Sequence, residues 1–462
     1  MDRRHFLKLL GALSVPLCHP GLLRASDFSS DVLIIGAGAC AFVLARELGA
    51  SGAQVTILES GIKHYSPWHQ ALNQLEMNSV IRETDYHQST RRQLGGTTWI
   101  WGGLCAPIQE SDLQTRTRFG YGADWPIRLN DIQQHYGYAR EILSAAPAEG
   151  QLPEEKSRFQ GVRLEPAVVS RQPGVARALM MAARYPEVTG HPNIRLIVDA
   201  SVRKIQMEGD RATLCEVQTQ AGRRHRFSAP LVILAAGGVQ NVRLLQLSAD
   251  RHYPTGIGNQ SDHLGRHFME HPDVAVVVDV GEEFSADWGS VRNLFSFDFY
   301  NHSERHAYGA ILLRMLKWDR DGGGEQVLLD LMCEQEARPE NRLVLSDKKD
   351  ALGDPLPRLE HHLSLRDEAT LRQAHRRLKQ LIGSRLHSSV QPVIRYNSHH
   401  PSGGTRMAEH PGDGVTDLYG RVHGTRNLYV AGSSLFPSNG AFHPTMTAVA
   451  LSKRLADHLQ KT

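Results

Sequence analysis

A glycine-rich turn near residue 36, set between an apolar strand and a helix, constrains this chain more than any other feature. Residues 31–35 (D-V-L-I-I) form a continuous apolar run, which predicts a parallel strand buried on both faces. The turn G-A-G-A-C-A follows at 36–41, residues 42–48 predict a helix, and residues 53–58 predict a second strand that ends before Glu59. In such a unit the first glycine permits the tight turn, the second lets the backbone approach a pyrophosphate, and the helix N-terminus stabilises its charge. The segment therefore predicts a dinucleotide-binding site, with Glu59 on a ribose hydroxyl, and does not distinguish FAD from NAD.

Two further glycine clusters favour a flavin. Residues 94–103 (L-G-G-T-T-W-I-W-G-G) place four glycines among threonines and tryptophans, and such a backbone can pass close to a flat ligand. Residues 231–241 (L-V-I-L-A-A-G-G-V-Q-N) predict another sheet strand that ends in a glycine pair before a helix over 242–247. The end of this strand is expected to approach the cofactor.

The C-terminal segment carries the candidate chemistry. Residues 399–407 read H-H-P-S-G-G-T-R-M, and a strand predicted at 427–431 stops at a small-residue turn. Residues 439–447 (N-G-A-F-H-P-T-M-T) lead into an amphipathic helix predicted over 448–458, with Pro444 where a first-turn proline is tolerated. Two histidines in glycine- and proline-containing turns beside a helix start are good general-base candidates.

Composition excludes several classes of protein. The chain has 462 residues, 22% of them charged, and its formal net charge is +3. That excess lies in the first 25 residues, so the rest of the chain is neutral and gives no reason to expect a nucleic-acid partner. Five cysteines show no zinc or haem spacing, so we expect neither a metal site nor a disulfide framework.

The first 25 residues predict a signal peptide. Residues 2–8 (D-R-R-H-F-L-K) form a basic head, residues 9–17 a short apolar run, and Ala25 supplies a small residue for cleavage. The adjacent arginines indicate the twin-arginine route, which predicts a periplasmic or otherwise exported protein. The apolar run is too short for a stable membrane span, so the cleaved protein is not expected to be an integral membrane protein.

On these motifs the chain resembles the glucose–methanol–choline (GMC) oxidoreductases, most closely the bacterial sugar- and polyol-oxidising type. The resemblance extends to residues 124–127 (D-W-P-I), 265–272 (G-R-H-F-M-E-H-P), 339–342 (P-E-N-R) and the H-x-x-G-G-T-R-M run at 400–407. It implies an α/β fold with a discontinuous Rossmann-like FAD-binding domain and an α+β substrate-binding domain. The FAD-binding parts would be 28–145, 195–272 and 395–462, the substrate-binding domain 273–394, and 146–194 a cap or connecting insertion.

The resemblance also implies a reaction and its residues. A CH–OH group of a sugar, glycoside or other alcohol would be oxidised to a carbonyl by hydride transfer to flavin N5, with His400 as general base and His443 as its partner. His399, the neighbour of His400, is the competing candidate for the base. Ile100 stands where pyranose-oxidase-like members carry a histidine that tethers flavin, which implies non-covalent FAD. The implied FAD-binding residues are Gly36, Gly38, Ala41, Glu59, Gly95, Gly96, Thr97, Thr98, Gly103, Val202, Ala236, Gly237, Gly432, Ser433, Pro444 and Thr445, and the implied substrate residues are Trp99, Trp101 and Phe442.

Several alternatives stay open at this point. A redox-neutral flavoprotein lyase of the same family would keep the histidine pair, whereas an NAD-dependent dehydrogenase or a non-catalytic subunit would not explain the C-terminal motifs. A dehydrogenase is favoured over an oxidase, with a small partner subunit, a cytochrome or a quinone as electron acceptor. The sequence does not specify the substrate or the oligomeric state.

Overall fold

The computed structural model describes residues 28–82, 86–87, 89–148, 158–159, 161–170, 185–280, 293–300, 305, 307–319, 325–382 and 391–462. The predicted signal peptide at 1–25 lies outside the described residues. The strands are β1 (Phe28–Ser29), β2 (Val32–Ile35), β3 (Val55–Leu58), β4 (Glu76–Ser79), β5 (Ala145–Pro147), β6 (Arg158–Phe159), β7 (Val162–Arg163), β8 (Glu165–Pro166), β9 (Val168–Ser170), β10 (Ile194–Ile197), β11 (Ser201–Glu208), β12 (Arg211–Gln218), β13 (Arg224–Ser228), β14 (Leu231–Leu234), β15 (Asp273–Val280), β16 (Asn293–Ser296), β17 (Ile311–Asp319), β18 (Glu325–Cys333), β19 (Arg342–Lys349), β20 (Pro355–His361), β21 (Val393–Arg395) and β22 (Leu428–Val430).

The described α-helices are short except where they cover a sheet. They are α1 (Ala39–Ala50), α2 (Pro67–Ala71), α3 (Thr115–Phe119), α4 (Leu129–Gln133), α5 (Tyr136–Leu143), α6 (Gly238–Leu247), α7 (Leu365–Ile382) and α8 (Pro444–Leu459). Short 3₁₀ helices occur at Gly96–Trp99, Glu110–Gln114 and Ser433–Leu435. Among the described residues, no helix is both long and apolar enough to cross a membrane.

A five-stranded parallel sheet in the order β10-β3-β2-β14-β22 forms the centre of the predicted dinucleotide-binding domain. All four residues of β2 and of β3 are buried, as the continuous apolar runs predict for parallel strands covered on both faces. Helix α1 follows β2 and packs against α8, which brings the C-terminal end of the chain onto the first βα unit. The sheet places the carboxyl ends of β2, β14 and β22 at one edge, where ligands bind in open α/β folds.

A six-stranded sheet in the order β21-β15-β18-β17-β16-β8 forms the second layer, and its recorded strand pairs are antiparallel. Helix α7 covers β15 and β18. Four buried residues at helical spacing, Leu371, Ala374, Leu378 and Leu381, form the stripe that faces this sheet. The mixed α/β architecture agrees with the predicted fold class.

The sheets draw on distant parts of the chain. Strand β8, from the predicted cap at 146–194, lies at the edge of the six-stranded sheet. Strand β4, from the predicted first FAD-binding part, pairs with β20 of the predicted substrate-binding domain. A separate four-stranded sheet has the order β1-β13-β12-β11. The boundaries of the predicted segments themselves stay predictions.

Three helices begin earlier than the sequence pattern predicts. Helix α1 begins at Ala39 rather than at 42, α6 at Gly238 rather than at 242, and α8 at Pro444 rather than at 448. The first turn of α6 and that of α8 carry small or polar residues that face the cavity described below, so hydrophobic periodicity starts only after the helix has begun.

Candidate active site

One cavity of about 620 Å³ begins at the turn after β2 and ends at the two candidate histidines. Its lining comes from chain segments between Ile35 and Val449. Seventeen of the residues predicted to bind FAD, bind substrate or act in catalysis line it: Gly36, Gly38, Glu59, Gly96, Thr97, Thr98, Trp101, Gly103, Val202, Ala236, Gly237, His400, Gly432, Ser433, His443, Pro444 and Thr445. The fold therefore brings the three glycine clusters and the C-terminal motifs to one place.

The glycines of the first turn meet two different requirements. Gly36 has a φ of +101°, and a Cβ there would lie 2.5 Å from the carbonyl oxygen of Ala235, so only glycine fits between β2 and β14. Gly38 has an extended backbone, and a Cβ there would meet no described atom within 4 Å. Its missing side chain leaves the space open at the N-terminus of α1, where a phosphate group can approach the backbone N–H groups.

The second glycine element packs directly on the first turn. The N–H of Gly95 donates to the carbonyl oxygen of Ala37 at 2.9 Å. Gly96 has a φ of +59°, and a Cβ there would lie 3.2 Å from the Cα of Gly38. The two clusters therefore form one backbone-lined wall of the cavity.

Glu59 is buried at the end of β3 and is already engaged by the backbone. Its Oε2 accepts from the N–H of Ala37 at 2.8 Å, and its Oε1 accepts from the N–H of Gly61 at 2.6 Å. Burial raises the pKa of the carboxyl above its usual value, and the hydrogen bonds from these two N–H groups and the nearby Arg92 guanidinium oppose that shift. The carboxylate thus fixes the shape of the turn in addition to lining the cavity where a ribose hydroxyl is expected.

His400 and His443 meet at the far end of the cavity. Their ring centroids are 5.3 Å apart, and the ring planes are inclined by 78°. Burial lowers the pKa of both imidazoles well below the usual value, and the nearby Arg314 guanidinium acts in the same direction. Both rings are therefore neutral near pH 7, the state in which a histidine accepts a proton.

Two N–H donors hold the ring of His443 from opposite sides. The N–H of Ala106 lies 3.2 Å from Nδ1 of His443, and Nη1 of Arg314 lies 3.3 Å from its Nε2. Arg314 therefore places its positive charge beside the histidine pair.

Arg314 belongs to a buried charged array across neighbouring strands of the six-stranded sheet. It lies directly opposite Asp330, with which it forms a short ion pair, and Asp273 on the next strand lies 3.7 Å away. Arg395 on the edge strand pairs with Asp273 at 2.6 Å and with Asp330 at 2.8 Å. The array holds the guanidinium of Arg314 at the cavity.

Four predicted site residues do not line the cavity. Ala41 is a buried residue of α1, where its small side chain allows close packing of the helix. Gly95 contacts the first turn through the hydrogen bond from its N–H to the carbonyl oxygen of Ala37. The substrate roles of Trp99 and Phe442 do not fit their positions, because Trp99 turns its indole N–H to the carbonyl oxygen of Leu94 at 2.6 Å and Phe442 is fully buried against Phe436. Trp101 lines the cavity, and its indole N–H has no partner among the described residues.

The sequence motifs did not indicate His271 or Arg314 as residues of the active site. His271 lies in the run at 265–272 that was noted only as a family motif, and its Nδ1 is 3.0 Å from Nδ1 of His400. Arg314 interrupts the apolar strand β17, as Asp330 interrupts β18. A charged residue within the apolar part of each of these two strands was the available signal, because a buried charge needs a partner.

Comparison with known proteins supports the assignment made from the motifs. The family model for GMC oxidoreductase matches residues 337–452, which include His400 and His443. The fructose dehydrogenase large subunit of Gluconobacter japonicus is 24% identical over 93% of this chain and 97% of its own length. The chain is therefore similar to the GMC oxidoreductases, most clearly over its C-terminal part. A C-glycoside 3-oxidase of Microbacterium trichothecenolyticum is 28% identical over 79% of this chain and 75% of its own length.

A solved structure has the same fold. Formate oxidase of Aspergillus oryzae RIB40 superposes with a TM-score of 0.65 at 16% identity, covering 94% of this chain and 98% of its own. The cofactor that the similarity to GMC oxidoreductases implies is FAD. The residues present fit it, because the open space at Gly38 and Gly237 and the N-termini of α1 and α6 provide a backbone-lined cradle for a dinucleotide.

Proposed function

We propose that this chain oxidises a CH–OH group of a sugar, a glycoside or another alcohol to a carbonyl. The observation that carries the proposal is the position of His400 and His443 at one end of the cavity whose other end is the dinucleotide turn. The names of the relatives support a carbohydrate substrate, since one is a fructose dehydrogenase subunit and one a C-glycoside oxidase.

FAD, when bound, supplies the acceptor for the hydride that leaves the substrate carbon. His400 accepts the proton of the substrate hydroxyl, and the remaining electron pair on oxygen forms the carbonyl as the C–H bond breaks. The guanidinium of Arg314, which lies 3.3 Å from Nε2 of His443, places positive charge near this oxygen as negative charge develops on it. The walls of the cavity orient the carbon, so the reacting groups are held together before the reaction begins.

An anaerobic titration tests this proposal. Purified protein is mixed with fructose, C-glycosides, polyols and simple alcohols in turn, and the absorbance of oxidised flavin is followed. We expect at least one carbohydrate to bleach the flavin band, with formation of one carbonyl per flavin. A protein that holds oxidised flavin but is reduced by no alcohol would favour a redox-neutral lyase.

We infer further that the protein holds FAD non-covalently. Ile100 lines the cavity at the position where a tethering histidine would stand, and its side chain has no group that forms a covalent bond to flavin. Acid precipitation should release all the flavin into the supernatant, and flavin that stays in the pellet would contradict this inference.

A dehydrogenase is the favoured form of the enzyme, with electrons passing to a small partner subunit, a cytochrome or a quinone. The observation in its favour is the similarity to a protein named as the large subunit of a dehydrogenase. Substrate-reduced protein is therefore expected to reoxidise slowly in air and quickly with a soluble quinone. Fast reoxidation by oxygen with formation of hydrogen peroxide would identify an oxidase.

Export by the twin-arginine route completes the proposal, and it rests on the paired Arg3 and Arg4 of the sequence. Replacing both with lysine keeps the charge, so a purely electrostatic signal would survive the change. We expect the double variant to stay in the cytoplasm with FAD bound while the unaltered chain appears in the periplasmic fraction. Equal export of the two would contradict this route.

A further inference from the structure

The geometry points to His271 as a positioning residue: it fixes which nitrogen of His400 carries the proton, and so leaves the Nε2 lone pair of His400 directed to the cavity. This inference rests on the proposed function insofar as it explains how His400 serves as a base. The assignment of the proton itself depends only on groups within the chain and needs no substrate.

The first step concerns the far side of the His271 ring. Its Nε2 lies 3.1 Å from the carbonyl oxygen of Asn439 and 3.1 Å from that of Gly440. A carbonyl oxygen only accepts hydrogen bonds, so Nε2 of His271 must carry a proton. These two carbonyls belong to the turn that leads into His443, so the ring is held by the same loop that supplies the second histidine.

The second step concerns the charge of His271. The side chain is buried, and burial lowers its pKa to about 4. At neutral pH the ring therefore carries one proton only, which the two carbonyls place on Nε2. Its Nδ1 then has a lone pair and can only accept a hydrogen bond.

The third step transfers this assignment to His400. Nδ1 of His400 lies 3.0 Å from Nδ1 of His271, which accepts, so the proton between them belongs to His400. Because His400 is also neutral, its Nε2 is unprotonated, and no described residue donates a hydrogen bond to it. Nε2 of His400 is thus an acceptor, which is the state that taking up the proton of a substrate hydroxyl requires.

The backbone holds the two rings in this relation. The carboxyl Oε2 of Glu270 accepts from the N–H of His271 at 3.1 Å and from the N–H of His400 at 3.0 Å. The side-chain amide of Asn439 donates to the carbonyl oxygen of Glu270 at 2.9 Å. When Nε2 of His400 takes up a proton, its Nδ1–H bond to His271 becomes charge-assisted and therefore stronger.

Two substitutions of His271 separate the acceptor from the donor. His271→Asn places its side-chain oxygen near the former Nδ1 and keeps an acceptor for His400. His271→Gln places its amide near the former Nε2, so it keeps a donor to the carbonyls of Asn439 and Gly440 but removes the acceptor. The two variants are similar in polarity, and bound flavin content reports whether each has folded.

The primary readout is the tautomer of His400, measured by NMR of protein with ¹⁵N-labelled imidazoles and assigned by loss of the signals in His400→Gln. We expect a protonated Nδ1 and an unprotonated Nε2 in the unaltered protein and in His271→Asn, and loss of this assignment in His271→Gln. An Nε2-protonated His400 in the unaltered protein would overturn the inference, whether or not any substrate has been found.

The second readout is the rate at which substrate reduces the flavin without oxygen. The Gln variant should lose roughly 10²-fold or more in this rate, towards the about 10⁴-fold that a wrong histidine tautomer costs in a serine-protease triad. The Asn variant should stay within about tenfold, and KM should change little in either. Equal rates in both variants would overturn the positioning role. If the NMR result is as expected but no alcohol reduces the flavin, the proposed function fails while the tautomer assignment stands.

Discussion

At the scale of single residues, two glycines of one turn are needed for opposite reasons. Gly36 has no room for a Cβ against Ala235, whereas Gly38 has open space that the cofactor is expected to occupy. Gly36→Ala should therefore destabilise the fold, through both the positive φ and the contact. Gly38→Ala should leave the thermal unfolding of the apoprotein within a few degrees of the unaltered chain but reduce bound flavin, as measured by absorbance after gel filtration. Full flavin occupancy in Gly38→Ala would show that the cofactor does not approach this backbone.

The chemistry also depends on a single residue. His400→Gln should retain FAD but reduce flavin roughly 10²–10⁴-fold more slowly, the usual cost of losing a positioned general base. His399→Gln distinguishes the competing neighbour, whose ring instead bonds Ser89, and should lose no more than a few-fold. His252 is exposed, so His252→Gln is the control for a histidine-to-glutamine substitution outside the active site. Comparable losses in the first two variants would leave the base unassigned to His400.

At the scale of elements, the charged array of the six-stranded sheet contributes to the stability of the fold, and its residue Arg314 also lines the candidate active site. The side chain of Arg314 is 9% exposed and that of Arg395 is 44% exposed, although both pair with Asp330. Arg314→Met should lower the free energy of unfolding by up to about 3–5 kcal/mol, because it leaves buried carboxylates short of a partner. Arg395→Met should cost about 0–1 kcal/mol, since water replaces much of its interaction. Denaturant unfolding of both variants checks the contrast, and equal losses would contradict it.

The elements also show what the sequence could and could not predict. The first βα unit was predictable because buried parallel strands and the glycine turn each leave a local pattern, and β2, α1 and β3 overlap the predicted segments, although α1 begins three residues earlier than predicted. The first turns of α6 and α8 were not predictable, because several of their residues line the cavity and do not form a periodic hydrophobic face. The positions of Trp99 and Phe442 were not predictable either, since an aromatic residue beside a glycine turn has the same local pattern whether it lines a cavity or packs behind it.

At the scale of the whole molecule, the pH dependence of stability contains a contribution from Glu270, whose carboxyl accepts from the N–H groups of His271 and His400. Burial raises the pKa of Glu270 from about 4.5 to about 8, and the charge of Asp273 adds to the shift. The folded state therefore binds a proton that the unfolded state has lost between these pH values, so this group makes stability fall as pH rises from about 4.5 to 8. Its Oε1 has no hydrogen-bond partner among the described residues, which suits a neutral carboxyl.

Glu270→Gln replaces this carboxyl with a neutral group of the same shape, and the oxygen that accepts from His271 and His400 is retained. The difference in unfolding free energy between variant and unaltered protein should increase in favour of the variant as pH rises through this range and then level off above about pH 8. Chemical denaturation at several pH values measures it. A difference that is constant with pH would show that the carboxyl titrates alike in the folded and unfolded states.

The largest effect on the whole molecule is expected from FAD itself. The cavity is lined by segments from Ile35 to Val449, which belong to both main sheets and to the N-termini of α1, α6 and α8. A ligand that binds only the folded chain adds about 2.7 kcal/mol of stability at 100 times its Kd. Apoprotein should therefore unfold at a lower temperature and regain the difference as FAD is added. Apo Gly38→Ala should unfold with the unaltered apoprotein yet gain little from the same FAD, because the added methyl group occupies the space of the pyrophosphate. An equal gain in both would place the dinucleotide elsewhere in the cavity.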